Sequence, residues 1–203
     1  MKEKDATLRQ GIKMLTLIEQ KEMPCERLQK LLASGLIADL LDANVDAVNR
    51  NAFRQLIGLK PFNVYTLTIN YTRSVEDGIR AGKYEWSSSD ITSSHFPSEE
   101  TGTKEVSIEL IHFGRDMETN EVLSELDKMG LRPATLKELL TLGEKHPDLQ
   151  REFPIIALGS VWRFPLGHRS CAYLGRHGSR RRLHLDWIAY RWDDYCRFAA
   201  VCK

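Results

Sequence analysis

Apolar residues recur at helical spacing through the first sixty positions and mostly at alternating spacing after them. Leu8, Ile12, Leu15 and Ile18 predict an amphipathic helix over 5–21. A second helix is expected to open at Pro24, which suits a first helical turn, and to stop near Gly35. Asn44 can cap a third, VDAVNRNAFRQLIG, which Gly58 ends. A helical module over 1–60 is marginal by size alone and is expected to pack on something.

The pattern then changes. FNVYTLTINY is aromatic and β-branched, the composition of a strand. SVEDGIRAGK reads as a short helix with Ser74 as N-cap and Asp77 in its first turn. Residues 87–103 carry turn-forming types and predict a long loop or a boundary. In KEVSIELIHF, Val106, Ile108 and Leu110 share one face, so this is a half-buried strand. NEVLSELDKMG is a helix that Thr119 caps and Gly130 ends. Pro133 breaks the chain, and Thr135 with Glu138 forms a capping box for LKELLTLGEK. PIIALGSVW predicts a buried strand; short β-like pieces separated by Gly follow, and CRFAAVCK closes the chain as a last strand.

Length and composition bound the class. The chain has 203 residues and is 42% hydrophobic, enough for a real core in one large domain or two small ones. Net charge is +1, so the whole is not an electrostatic nucleic-acid binder. The charge is unevenly spread: residues 159–203 sum to +6 and residues 1–158 to −5. No stretch approaches a membrane span, and the charged N-terminus lacks the layout of a signal peptide, so a cytoplasmic protein is expected. In that compartment Cys25, Cys171, Cys196 and Cys202 are expected as free thiols.

Candidate chemistry concentrates in the last 45 residues. HGSRRRLHLDW carries three consecutive arginines, and aromatic residues interleave with Arg through the whole tail. That composition suits phosphates and bases, but Asp186, Asp193 and Asp194 oppose phosphate, and no nucleic-acid-binding motif is present. His168 and Cys171 give one metal-like pair without a second. His184 and Asp186, two apart on a strand, would point the same way, and with Ser179 or Cys171 could compose a triad; no nucleophile elbow, P-loop or dinucleotide fingerprint accompanies them. No catalytic residue, metal ligand or cofactor is assigned.

Between Gly159 and Cys202 there is no Lys, Glu, Gln or Met, although these four types supply 37 of the first 158 residues. A β-rich, Arg-preferring surface would explain part of this; a second explanation is that codons of the AAC or AAT type, randomised only at adenine, exclude those four and Trp. The tail has the composition of such positions alternating with a constant framework that includes Gly159, Trp162, Leu183, Leu185, Trp187, Trp192 and Phe198.

Three segments carry a resemblance. GLRPATLKELL resembles the helix-starting segment of C-type-lectin-like domains of the formylglycine-generating-enzyme type. ALGSVW resembles the core strand, and CRFAAV the closing strand, of the variable proteins of diversity-generating retroelements, which use that fold. The resemblance covers roughly 104–203; LGSVW has one Gly where the pattern often has two, and RPAT stands for RLPT.

The expectation is therefore an α+β chain: a helical module over 1–60, a connecting strand–helix segment and loop over 61–103, and a C-type-lectin-like ligand-binding domain over 104–203. The resemblance implies a non-catalytic binding protein whose C-terminal surface is diversified by retroelement-directed adenine mutagenesis. Its contact residues would be Phe164, Leu166, His168, Ser170, Arg176, His177, Arg180, Arg182, His184, Ile188, Ala189, Tyr190, Asp193, Asp194 and Tyr195. Trp162, Trp187 and Trp192 would belong to the core. The partner would be a protein or another macromolecule. The alternative is a nucleic-acid-binding or regulatory protein that uses the Arg- and aromatic-rich tail. An enzyme of the formylglycine-generating type is a third reading, and the cysteines do not match its motif.

Overall fold

The computed structural model describes residues 15–16, 18–43, 53–54, 56–59, 63–165 and 167–203. The chain divides into two units, Met1–Phe53 and Arg54–Lys203. In the first, α1 (Cys25–Ala33) opens after Pro24 as the N-cap. Gly35, at positive φ, ends that segment and begins α2 (Leu36–Asp42), a helix the periodicity did not separate. Neither helix buries a residue. Residues 15–16 and 18–20 are helical as expected, whereas the Asn44 cap and most of the helix it was to start lie outside the described residues.

The second unit is mixed α and β, built on one large mixed sheet with several helices. Its strands are β1 (Val64–Asn70), β2 (Trp86–Ser87), β3 (Thr103–Ile111), β5 (Leu131–Pro133), β6 (Ile155–Arg163), β7 (Arg169–His177), β8 (Arg180–Trp187) and β10 (Arg197–Cys202). The order across the sheet is β1-β3-β10-β6-β7-β8-β2. The closing strand therefore lies in the middle. It pairs antiparallel with β3 along one edge; along the other it pairs in parallel with β6 at its start and antiparallel with β5 at its end. β4 (Met117–Glu118) and β9 (Arg191–Trp192) form a separate ribbon.

The 61–103 segment is part of this sheet. β1 pairs with β3 over its whole length, and β2 is the strand next to β8. Residues 88–102 carry no strand or helix, but Ile91 and Phe96 reach into the core.

Alternation explains the two sides of the sheet. Ile155 and Ala157 of β6, Ala172 and Leu174 of β7, and Ala199 and Val201 of β10 belong to one core. That core also includes Leu136, Leu139, Leu140 and Leu142 of α5 (Leu136–Lys145) and Val75 of α3 (Val75–Gly82). Ile156, Leu158, Cys171, Phe198 and Ala200 belong to the other, with Val122 and Leu126 of α4 (Thr119–Lys128). β10 and the first half of β6 are thus covered on both sides, which is why they read as apolar runs rather than as alternating strands.

Helix boundaries follow local chemistry. Ser74 accepts the Asp77 N–H at 3.0 Å and starts α3. Thr135 and Glu138 form the expected capping box of α5. α4 starts differently from expectation: Glu118 is its N-cap, and Thr119 is the first helical residue. The Thr119 hydroxyl instead donates to Ile188 O at 2.6 Å and accepts the Trp192 indole N–H at 2.9 Å.

Candidate functional site

β7 and β8 form a hairpin closed by Gly178 and Ser179, with His177 opposite Arg180 and Gly178 at positive φ. Paired residues share a side of the sheet. Ala172 with Leu185, and Leu174 with Leu183, face the α5 side. Tyr173 with His184, Cys171 with Asp186, Gly175 with Arg182, and His177 with Arg180 face the other. On that outer side the helix-covered core reaches only to Cys171 and Tyr173, so Arg180, Arg182, His184 and Asp186 remain wholly or partly accessible along β8.

The three consecutive arginines separate accordingly. Arg180 is exposed, and Arg182 is half-buried over the Trp86 ring at 5.7 Å. Arg181 points inward and is only 5% exposed. Its guanidinium donates to Gly82 O at 2.8 Å, Gly143 O at 2.7 Å and Gln150 Oε1 at 3.0 Å, and lies over the Tyr84 ring. It ties α3, α5 and α6 (Leu149–Glu152) to the hairpin and has no surface role.

An aromatic group lines the outer side. His184 stacks on Tyr173 at 5.0 Å and meets Trp86 at 4.9 Å. Burial, reinforced by Arg182, holds the His184 imidazole below its ordinary pKa, so it is neutral at pH 7. Where β8 runs toward 191–196, a cavity of about 120 Å³ is lined by Tyr173, Asp186, Trp192, Asp193 and Tyr195 among others. Tyr195 is hydrogen-bonded to Asp193, which, with burial, pushes its phenol up to about 12. The face is electrically graded: basic at the hairpin tip, acidic at the 186–195 end.

The candidate contact residues do not all gather there. His177, Arg180, Arg182 and His184 share the outer side of the hairpin, and Asp193 and Tyr195 line the cavity at its end. Phe164 lies on Trp162, ring centroids 3.7 Å apart, and Trp162 stacks on His95 at 4.1 Å. His168 stacks on Trp187 at 4.4 Å, and Tyr190 on the same ring at 5.2 Å. Trp162, Ser170 and Trp187 are in register with one another, on the side of Ala172 and Leu185. Phe164, His168 and Tyr190 therefore make a second patch. Arg176 is exposed opposite Arg181, and Ala189 is exposed in the 188–190 turn. Asp194 accepts a hydrogen bond from His112 Nε2 through its carbonyl at 2.7 Å. Leu166 lies outside the described residues.

Three expectations are corrected. Ser170 is fully buried between β6 and β8, and Ile188 is 9% exposed within the α4-side core, so neither can meet a partner. Trp187 is not a core residue: it is 39% exposed and serves as the platform between His168 and Tyr190. Trp192 is buried and Trp162 half-buried against the core, as expected. Sequence reasoning did not select Tyr173, Trp86 or Asp186 as contact residues. The two-residue period Arg180, Arg182, His184, Asp186 could have added Asp186. Nothing in the sequence signals Trp86, which β2 brings from almost a hundred positions away.

Cys171 and Cys196 are buried, and burial pushes both thiols up, Cys196 to about 11. Cys25 and Cys202 are exposed, and all four are free thiols. Among the described residues no group of three His, Cys, Asp or Glu side chains is placed to hold a metal ion, and no helix is long and apolar enough to cross a membrane. In comparisons with known proteins, no family model, no curated protein and no solved structure matches this chain.

Proposed function

We propose that the chain is a non-catalytic binding protein. Its contact surface is the outer side of the β7–β8 hairpin together with residues 193–195, displayed on a C-type-lectin-like domain and diversified by retroelement-directed adenine mutagenesis. One observation carries the reading: along β8 the residues assigned as variable, Arg180, Arg182 and His184, alternate strictly with the inward Arg181, Leu183 and Leu185. A surface that changes without loss of the fold needs that separation, because the core side tolerates little change in volume while the solvent side tolerates much. The absence of Lys, Glu, Gln and Met from 159–202 supports the same reading independently.

The position of a C-terminal strand between β3 on one side and β6 and β5 on the other supports the lectin-like assignment, since it anchors the variable stretch at both ends within one sheet. The arrangement favours a mixed contact surface over a phosphate-binding one. Arg181 is withdrawn into the core, and Asp186 and Asp193 line the cavity at the far end of the face. The test is the DNA around the gene. A reverse transcriptase and a near-copy of the segment encoding 159–203, differing almost only at template adenines, is the expected result. A locus with no such repeat refutes the diversification.

A further inference from the structure

We infer that the cavity at the acidic end of the hairpin face is a cation subsite, and that the partner places a lysine side chain in it. This rests on the binding-surface reading above and names the chemistry of one part of that surface.

The lining is specific. Tyr173, Trp192 and Tyr195 supply aromatic rings, and Asp186 and Asp193 supply carboxylates. An ammonium group is attracted to the faces of such rings, and more strongly where water is excluded. Neither carboxylate forms an ion pair among the described residues. Asp186 accepts only the N–H of Trp187 among the described hydrogen bonds, and Asp193 holds the Tyr195 hydroxyl. Arg191 lines the same cavity and forms no ion pair elsewhere among the described residues, so with Asp186 and Asp193 it leaves the lining with a single net negative charge for the partner's ammonium to meet.

Size narrows the ligand. At 120 Å³ the cavity is well below the ~300–1,000 Å³ of sites that enclose a whole small molecule. It suits the end of one side chain. The rest of the face adds a constraint: Arg180 and Arg182 lie four to six strand positions from Asp186, roughly 13–20 Å at ~3.3 Å per residue. A partner segment with a lysine at one end and acidic groups that far away would meet both poles. A uniformly basic or uniformly acidic ligand would meet only one.

The experiment uses the full chain, isotope-labelled, titrated with Nα-acetyl-lysine amide and separately with Nα-acetyl-norleucine amide, which has the same stem without the charge. The lysine probe is expected to shift the Tyr173 and Tyr195 ring signals saturably, and the norleucine probe to leave them in place. D193N, at an exposed position, and D186N are each expected to weaken the lysine probe about tenfold or more, the equivalent of ~1.4 kcal/mol. Equal shifts from both probes would make the cavity an apolar slot and overturn the cation subsite. So would silence from the lysine probe, or unchanged affinity in D193N. None of those outcomes touches the locus test, which does not depend on charge. A locus without a template repeat, conversely, would remove the diversification and leave a measured cation affinity standing.

Discussion

Replacing Arg181 by Met separates a structural arginine from its two contact-surface neighbours. Met keeps much of the unbranched stem and removes every donor. The guanidinium satisfies Gly82 O, Gly143 O and the Gln150 side chain in a site that is 5% exposed. Leaving a buried acceptor unpaired costs ~1–3 kcal/mol. The sum for three such groups exceeds the net change expected, because removing a buried charge also removes its desolvation penalty. Burial lowers the Arg181 pKa, in keeping with that penalty. The net loss in R181M is expected to be about 3 kcal/mol, a large share of the ~5–15 kcal/mol that holds a domain folded. With a urea slope of about 2 kcal/mol per molar, the unfolding midpoint falls by roughly 1.5 M. R180S is expected to stay within about 0.5 kcal/mol of the parent, as exposed substitutions do. R182S should lose about 1 kcal/mol at most, through its contact with Trp86. Urea unfolding followed by tryptophan fluorescence on the three variants reads all of this. If R180S destabilises as much as R181M, the inward–outward alternation of β8 is wrong. If R181M unfolds with the parent, the buried network contributes nothing.

Three further outcomes are expected. Burial alone would push the Glu138 carboxyl up, but hydrogen bonds from Arg132, Tyr71 and the Thr135 N–H outweigh it and hold it below the usual carboxylate range. A depressed carboxylate stabilises the fold above its unfolded pKa of about 4.3 and loses that contribution as pH falls through its folded value. E138Q should therefore be less stable at pH 7, by about 3 kcal/mol for a broken buried pair, and should show a flatter dependence of urea midpoint on pH below about 5; a parallel curve refutes the linkage. A Cβ on Gly159 would lie 2.5 Å from Pro133 O and 2.6 Å from Ala134 O, both backbone, so G159A should lower the melting temperature through ~1–3 kcal/mol of overpacking. An unchanged melt would mean that β5 and β6 can part without cost. N-ethylmaleimide at pH 8, read by peptide mass spectrometry, should label Cys25 and Cys202 in the folded protein and reach Cys171 and Cys196 only in denaturant; equal labelling of all four would contradict the burial.

What the sequence determined by itself is what short-range chemistry decides. The Ser74 cap, the Thr135–Glu138 box and the Gly130 stop each depend on groups within about one turn, so they could be read from neighbouring residues. The alternation of β3 and the apolar character of β6 were legible for the same reason. Only the tertiary structure decided which of three adjacent arginines is buried, because the carbonyls that bury Arg181 come from Gly82 and Gly143. It likewise exposed Trp187, whose ring stacks with His168 and Tyr190, and buried Ser170 between two strands. It drew residues 64–70 into the sheet and set β10 at its centre, next to strands that precede it by up to about a hundred positions. Local spacing says which side chains share a side of a strand. Which side meets a core and which meets water depends on what the rest of the chain lays against it.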